Sequence, residues 1–396
     1  MNKVISTEKI PIKLWLDDIE DGALQQAKNL ANLPFAFKHI SIMPDSHQGY
    51  GMPIGGVMAT QDVIIPNAVG VDIGCGMCAV KTSLTDIDKE ILKKIMGEIR
   101  KVIPVGFNKH QEMQDMSLMA TGNNIPEDGI VLQEWDNARK SLGTLGGGNH
   151  FIEIQKGSDG FIWIMIHSGS RNLGLKVADY YNKLAQKLNE QWKSGVPKEW
   201  ELAFLPVESE EGQDYLGEMQ YCVDFALANR KLMMDRITEI FRNIFMNRAE
   251  TLEEQIVFEP IINIAHNYAA LENHFGKNVW VHRKGATLAR KDTIGIIPGS
   301  QGTKSYIVKG KGNLDSFQSC SHGAGRKMSR TAAIKDLNLE DEIEKMNKQG
   351  IIHGLRNQKD LDEASSAYKD IDVVMKNQGD LVEILVELQP LAVIKG

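Results

Sequence analysis

Hydrophobic positions recur with a helical period in three long stretches of the chain. In 85–102, apolar residues return every three or four positions, and Thr85 occupies the place of an N-cap. The same spacing covers 177–192 and 214–246, and the second of these is long enough for one helix or two. The pattern predicts helices over these ranges, and we expect the helical subregion at about 176–250 to be an insertion rather than a separate domain.

Strands are predicted where short runs of β-branched, aromatic and other apolar residues stand between turn-forming residues. These runs lie at 161–166, 261–265, 279–281, 294–297 and 306–308. The polar stretch 193–214 contains Pro and Gly and is the best linker candidate. The chain shows no internal repeat and no low-complexity tract.

Composition places the chain among ordinary globular proteins. Hydrophobic residues make up 42% and charged residues 24%, which excludes wholesale disorder and a fibrous architecture. A length of 396 residues allows two or three domains or one large catalytic domain. The formal net charge is −7, so we expect any nucleic-acid contact to be a local basic patch.

The sequence points to a reducing, aqueous compartment. Four cysteines in so long a chain do not make a disulfide framework. The first residues are charged early and lack the apolar run of a signal peptide, and the run at 161–166 is far too short to span a membrane. We therefore expect a cytoplasmic protein without membrane contact.

Glycine is concentrated in three clusters, at 49–76, 143–174 and 295–325, and each cluster also contains His, Cys, Asp or Asn. Glycines gather where the backbone bends sharply or approaches a ligand closely. Turn formation alone does not require the accompanying side chains, so the three clusters are candidate site loops.

Three histidines lie at the ends of predicted strands, namely His150, His167 and His266. Each alone is more typical of a hydrogen-bonded structural histidine, but their recurrence favours joint metal binding. Asp72 and Cys75 lie three residues apart in a glycine-rich turn and can point at one metal. Five ligands exceed one tetrahedral ion, so we expect two ions bridged by the Cys75 thiolate, as in sites that act at phosphorus. The residue types leave Mn, Zn, Fe and Co open.

Two other pairs have alternative interpretations. Cys75 and Cys78 fit a CxxC pattern, but no second pair accompanies them, and we expect one of the two to be an ordinary core residue. Asp45 and His47 form either a catalytic pair or a pair that holds their loop.

Two loops have the composition of anion cradles, at 298–305 and 321–330, with glycines, hydroxyl groups and cations together. Neither is a Walker A or a dinucleotide-binding motif. His322 lies in the second loop with Arg326 four residues on. Residue chemistry alone favours an anion-contacting or structural histidine over a nucleophile that attacks a nucleotide phosphorus.

The order of these motifs resembles the RtcB family, the GTP- and manganese-dependent RNA ligases. The matching segments run in family order from about residue 34 to residue 396, at 43–49, 69–77, 143–154, 167–171, 266–268, 283–286, 297–300, 319–326, 367–371 and 395–396. The resemblance implies an α+β fold in which mixed β-sheets form a central core flanked by helices. It also implies a single catalytic domain over 1–396 with its active site in loops at strand ends.

The resemblance further implies residue roles. His322 matches the histidine that becomes guanylylated. The ligands of two Mn²⁺ ions correspond to Asp72, Cys75, His150, His167 and His266. The GTP pocket corresponds to Asn149, His150, Phe151, Ile152, Glu153, His266, Asn267, Pro298, Gly299, Ser300, Gln301, Ser305, His322, Gly323, Ala324, Gly325 and Lys395.

The implied reaction joins RNA 3′-phosphate or 2′,3′-cyclic phosphate ends to 5′-hydroxyl ends through a covalent His322–GMP intermediate, in RNA repair or tRNA splicing. RNA is expected on a basic patch of Arg171, Arg283, Lys284, Lys309, Arg326 and Arg330. Tyr50, Met52-Pro53 and Gly147 depart from the family pattern, which suggests a specialised paralogue. The alternatives are a two-metal RNA-end phosphodiesterase or phosphatase that does not use GTP, and a non-catalytic RNA-binding or ribosome-associated factor. The sequence identifies no activating protein partner.

Overall fold

The computed structural model describes residues 1–122, 124–246 and 255–396. The strands are β1 (Lys3–Ile5), β2 (Ile12–Leu14), β3 (Ala36–His47), β4 (Ile54–Thr60), β5 (Val63–Ile64), β6 (Gly76–Lys81), β7 (Phe151–Gly157), β8 (Ile162–Ser168), β9 (Leu205–Pro206), β10 (Ile262–Ala265), β11 (Asn267–His274), β12 (Lys277–Lys284), β13 (Ala286–Leu288), β14 (Ile294–Ile297), β15 (Ser305–Gly310), β16 (Ser319–Ser321) and β17 (Val382–Lys395). The α-helices are α1 (Asp21–Ala31), α2 (Pro66–Val69), α3 (Lys89–Val102), α4 (Ile130–Gln133), α5 (Trp135–Ser141), α6 (Leu173–Gln191), α7 (Glu210–Met246), α8 (Arg330–Asp336), α9 (Leu339–Lys348) and α10 (Ile371–Asn377).

Two large sheets organise the described part of the chain. One has six strands in the order β1-β2-β3-β4-β12-β11, and the other has seven in the order β10-β6-β8-β7-β17-β15-β14. The β2–β3 pair is parallel, whereas the pairs within the seven-stranded sheet are antiparallel. The mixed sheets and flanking helices confirm the expected α+β class.

The seven-stranded sheet buries one face against two helices. Its β6, β7 and β8 side chains form one apolar cluster with the inward faces of α3 and α7. The other face packs against α9 through a second cluster. Burial of apolar surface on both faces explains why the strands at the centre of this sheet read as nearly continuous apolar runs.

The predicted helices form with shifted ends. The helix predicted to begin at Thr85 begins at Lys89, because side chains in the preceding segment bind the backbone locally: Thr82 Oγ1 accepts from Leu84 N, and Asp86 Oδ1 accepts from Ile87 N. The 177–192 helix begins earlier, at Leu173, and 214–246 lies within one 37-residue helix, α7. The last positions of the predicted 176–250 subregion, 247–250, lie outside the described residues.

No helix in the described ranges is both long and apolar enough to cross a lipid bilayer. The single domain over 1–396 and the cytoplasmic location stay predictions.

Strand pairing brings the candidate ligands to one edge of the seven-stranded sheet. Because β6 and β7 each run antiparallel to β8, the starts of β6 and β7 lie beside the end of β8. Strand β10 runs antiparallel to β6, so its end lies at the same edge. The residues just before β6 and β7, at the end of β8 and just after β10 are therefore neighbours.

Arg230 of α7 holds these strand ends together from the helix-covered face of the sheet. Its guanidinium is fully buried and donates to the carbonyl oxygens of Gly74 (2.9 Å) and Ser168 (2.8 Å) and to Asn263 Oδ1 (2.7 Å). Burial lowers the pKa of Arg230 to about 10, which still leaves the side chain charged at neutral pH. The longest helix is thus bonded to the loop before β6 and to the end of β8.

We expect Arg230→Met to destabilise the protein, because it leaves two buried carbonyl oxygens without donors at about 1–3 kcal/mol each. The urea midpoint of unfolding measures this. Lys231→Met is the matched control, since the Lys231 side chain is exposed and pairs with Asp235, and an exposed ion pair of this kind is worth less than about 1 kcal/mol. Equal midpoints for the two variants would contradict the role given to Arg230.

Candidate active site

The Cys75 thiol lies at the centre of the edge described above. Its Sγ is 3.5 Å from His150 Nε2 and 3.3 Å from His167 Nε2. His150 Nε2 is in turn 3.3 Å from Asp72 Oδ2. His266 reaches the group through its ring, whose centroid is 5.3 Å from that of His167. All five predicted metal ligands are therefore brought together.

Backbone carbonyl groups orient two of the imidazole rings. His150 Nδ1 is 3.0 Å from Leu145 O, and His167 Nδ1 is 3.0 Å from Asn149 O. Because a carbonyl oxygen only accepts, each Nδ1 carries the proton and each Nε2 keeps its lone pair toward Cys75. This is how hydrogen bonds outside the ligand set fix the tautomer of a metal-binding histidine.

The donor set fits metal ions. Two groups have ligand atoms within 4.8 Å of one another, one made of Cys75, His167 and His266 and the other of Asp72, Cys75 and His150. Cys75 belongs to both. The buried Nδ1 of His266 has no hydrogen-bond partner among the described residues, which is an unsatisfied donor or acceptor that a ligand would complete.

The charges of the site also favour a cation. Burial, followed by the neighbouring Asp72 carboxylate, raises the pKa of the Cys75 thiol well above its usual value. Burial acts to raise the pKa of Asp72 as well, but the surrounding groups, chiefly His150 and then Cys75 and His167, together leave that pKa lowered. A divalent cation replaces a thiol proton and stabilises both anions.

His322 faces the same cavity and is held by Asp45. Its Nδ1 is 2.6 Å from Asp45 Oδ2, which also accepts from the backbone N–H groups of His322 (3.1 Å) and Gly323 (3.3 Å). Burial acts to raise the pKa of Asp45, but the charge and hydrogen bond of His322 leave it lowered. The carboxylate therefore keeps the proton on Nδ1 and leaves Nε2 with its lone pair. Asp45 and His47 were expected to form either a catalytic pair or a pair that holds their loop. The structure answers this for Asp45, whose Oδ2 pairs with His322.

Gly325 allows this approach. Its φ is +73°, and a Cβ there would lie 2.0 Å from Asp45 O, so only glycine fits where the loop crosses β3.

A cavity of about 230 Å³ connects the metal-ligand candidates to His322. Beyond those ligands, the predicted nucleotide-pocket residues on its wall are Asn149, Phe151, Asn267, Pro298, Gly299, Ser300, Gln301, Gly323, Ala324, Gly325 and Lys395. Asn267 also donates to Asp72 O (3.0 Å), so one side chain both lines the cavity and holds the ligand turn.

Three predicted pocket residues do not line the cavity. Ile152 lies on the opposite face of β7 from Phe151, because side chains alternate along a strand, and it packs in the core with α3 and α7. Glu153 and Ser305 are buried behind the wall and joined by Gln155, whose Nε2 donates to both; Ser305 Oγ then accepts from Gly299 N (3.2 Å). They stiffen the wall from behind.

The rim of the cavity contains residues that the sequence reasoning did not single out. The buried Glu363 carboxylate accepts from Arg326 Nη1 and Arg330 Nε, each at 2.6 Å, and from the Tyr368 hydroxyl. Tyr368 lay in a matching segment, but Glu363, the last residue of a 3₁₀ helix (Gln358–Glu363), belongs to no motif. Arg326 and Arg330 were the only hint in the sequence, because two neighbouring arginines are commonly paired with a carboxylate that lies close to them in space.

The tRNA-splicing ligase RtcB family matches residues 26–396 of the chain. The RNA-splicing ligase RtcB of Escherichia coli K12 is 40% identical, over the whole chain and 99% of that protein. The tRNA-splicing ligases RtcB of Thermococcus kodakarensis (32% identical) and Methanococcus maripaludis (33% identical) are each covered to 95% by 98% of the chain. The chain belongs to the RtcB family.

Membership in the RtcB family makes the chain an RNA ligase, whose substrate is RNA. The family and the clustered Cys, His and Asp side chains together indicate that this RtcB protein uses metal. The alternative of a GTP-independent phosphodiesterase is not favoured, because the relatives are named as ligases.

The basic patch expected on this RtcB family member is partly wrong. Arg283 is fully buried and paired with Glu272 Oε1 (2.5 Å), because β12 lies between β4 and β11. Lys284 is also buried, donates to the carbonyl oxygens of Tyr50 and Asn67, and has a pKa lowered by burial to about 7. Neither cation is available to RNA. Lys309 pairs with Glu383 on β17.

Arg326 and Arg330 line the cavity of this RtcB protein, where both pair with Glu363, and Arg171 donates to Thr144 Oγ1 and Gly106 O. The effect of the Tyr50 and Gly147 departures on RNA-end handling stays a prediction; Tyr50 is 67% exposed.

We expect Cys75→Ala to lower metal affinity at least roughly tenfold, because it removes the atom common to both ligand groups. Bound manganese per chain, measured by elemental mass spectrometry after gel filtration, reports this. Cys78→Ala is the matched control, since Cys78 is buried in the core against α3 and α7. Full metal content in Cys75→Ala would refute the ligand set.

Proposed function

We propose that the chain joins RNA 3′-phosphate or 2′,3′-cyclic phosphate ends to 5′-hydroxyl ends, using GTP and two Mn²⁺ ions through a covalent His322–GMP intermediate. The observation that carries the proposal is the shared cavity. His322, aligned by the buried Asp45 carboxylate, faces the same space as two metal-ligand groups that meet at Cys75.

His322 has the geometry of a nucleophile. With Nδ1–H donated to Asp45, the Nε2 lone pair attacks the α-phosphorus of GTP, an N–P bond forms, and the bond to the bridging oxygen breaks as pyrophosphate leaves. The imidazole gains positive charge in this step, and the adjacent Asp45 carboxylate stabilises it.

Two transfers complete the reaction. An oxygen of the RNA 3′-phosphate takes the guanylate from His322, which breaks the N–P bond and restores the free imidazole. The RNA 5′-hydroxyl then attacks the 3′-phosphorus, loses its proton and releases GMP, which closes the phosphodiester. A cyclic end is first opened by water.

Metal ions would be held by Asp72, Cys75, His150, His167 and His266. When bound, they supply positive charge that neutralises the triphosphate and the charge developing at phosphorus. The chain's own residues position the nucleotide: Asn149, the 298–301 loop and Lys395 line the cavity that leads from the ligands.

Glu153 is the group we assign to guanine recognition. It lies two residues along β7 from Phe151, on the same face of the strand, and burial raises its pKa to about 8. A carboxylate accepts from the N1–H and N2–H donors that distinguish guanine from adenine. A small opening of the wall at Phe151 would expose it to the base.

Covalent labelling tests the proposal. With manganese and GTP labelled at the α-phosphate, we expect acid-labile label on the native protein and none on His322→Ala, because the phosphoramidate forms on that ring. GTP labelled at the γ-phosphate is the control and should leave no label. Absence of label from metal-loaded native protein would overturn the proposal.

Binding of GTP should weaken as the pH falls through about 8, because protonation of Glu153 removes an acceptor for guanine. Well below that pH, the KM for GTP in the labelling reaction is expected to rise by up to about tenfold per pH unit. Glu153→Gln serves as control, since it cannot titrate and should show a flatter profile and weaker preference for GTP over ATP. If the KM for GTP changed with pH in the same way in both proteins, Glu153 would not be the group that binds guanine.

A further inference from the structure

Phe107 is an exposed aromatic ring on a fixed backbone. Its side chain is 100% exposed, so it adds nothing to the core. The loop that carries it is nevertheless tied down: Leu145 N donates to Pro104 O (2.9 Å), Gly106 N donates to Gly146 O (2.8 Å), and Arg171 Nη2 donates to Gly106 O (3.1 Å). A single exposed aromatic ring is common on protein surfaces, but the anchored backbone holds this one at a fixed place beside the glycine loop.

The loop lies against the edge of the active site. Gly146, Gly147 and Gly148 lead directly into Asn149 and His150, which line the cavity. A Cβ on Gly147 would lie 3.6 Å from Gly106 Cα, so the segment bearing Phe107 packs directly on this glycine loop. Gly147, which the sequence comparison gave as a departure from the family pattern, thus lies against the segment that carries Phe107.

Two guanidinium groups approach the same glycine loop. A Cβ on Gly146 would lie 2.3 Å from Arg171 Nη1, and one on Gly148 would lie 2.9 Å from Arg330 Nη2. Arg330 also pairs with Glu363, whereas Arg171 donates to the uncharged Thr144 hydroxyl and Gly106 carbonyl and forms no ion pair among the described residues. Positive charge near an exposed aromatic ring favours single-stranded nucleic acid, through backbone phosphates and base stacking. Charge therefore favours RNA over an apolar protein segment as the occupant of this ring.

We propose that Phe107 is a stacking platform for an unpaired RNA base close to the join, and that it positions the RNA end over the active site. The inference rests on the proposed function and adds a positioning residue to it. Stacking accepts every base, so the platform sets how the end is held rather than which sequence is chosen.

Phe107→Ala should raise the KM for RNA in ligation roughly tenfold, with a smaller effect on kcat, because a stacked base is lost. Phe107→Trp should retain or improve binding, and Phe107→Leu should behave like Phe107→Ala, since leucine is apolar but has no planar face. Equal activity of the leucine and phenylalanine proteins would overturn stacking and indicate a simple apolar contact.

Labelling of His322 from GTP needs no RNA, so it should be unchanged in all three variants, which also shows that they fold. Tyr180→Ala removes an exposed aromatic from α6 and should leave the KM for RNA unchanged. If labelling occurs and Phe107→Ala ligates with the native KM, the platform is refuted while the proposed function stands. If native protein is never labelled, the proposed function itself has failed.

A direct probe is RNA that carries 2-aminopurine at successive positions on either side of the join. Stacking on Phe107 should quench its fluorescence at one position with native protein, and the quenching should disappear with Phe107→Leu. Quenching that is identical in both proteins would contradict the assignment.

Discussion

The guanidinium of Arg230 is the interaction on which the geometry of the active site depends. The chain turns sharply before β6 and at the end of β8, and at each turn a carbonyl oxygen points inward rather than into the sheet. A buried carbonyl needs a donor. The planar, multi-donor guanidinium from α7 reaches both carbonyls, so one rigid group on a helix ties the turn before β6 to the end of β8, beside Cys75 and His167.

Local pattern and long-range pairing contribute differently to what the sequence reveals. Helical spacing was enough to predict α6 and α7, because it is a short-range property. The placement of histidines at strand ends indicated side chains that the sheet gathers at one edge, and their role as metal ligands stays a prediction. The partnership of Asp45 with His322 spans 277 residues and depends on how β16 lies against β3. No periodicity encodes that packing.

The charged residues illustrate the same limit. A cation in a glycine-flanked motif is typical of a ligand-binding site. Arg283 and Lys284 instead lie on an interior strand, where Glu272 pairs with Arg283 and carbonyl oxygens accept from Lys284. Burial is decided by neighbouring strands that sequence spacing does not identify. The helix start predicted at Thr85 was wrong for a local reason, since nearby hydroxyl and carboxylate groups offer the backbone N–H groups other partners than a helical turn.

Glu363 has a consequence for how this cavity rim can change. One carboxylate holds Arg326, Arg330 and Tyr368 together, so the effect of replacing any of them depends on which others are present. Loss of Glu363 would remove the carboxylate partner of both arginines at once, although Arg326 would keep its bonds to Met328 O and Asp362 O. Substitutions at the rim are therefore epistatic, since the effect of each depends on the others. Phe107 contacts no such network among the described residues, so the effect of replacing it does not depend on the rim residues.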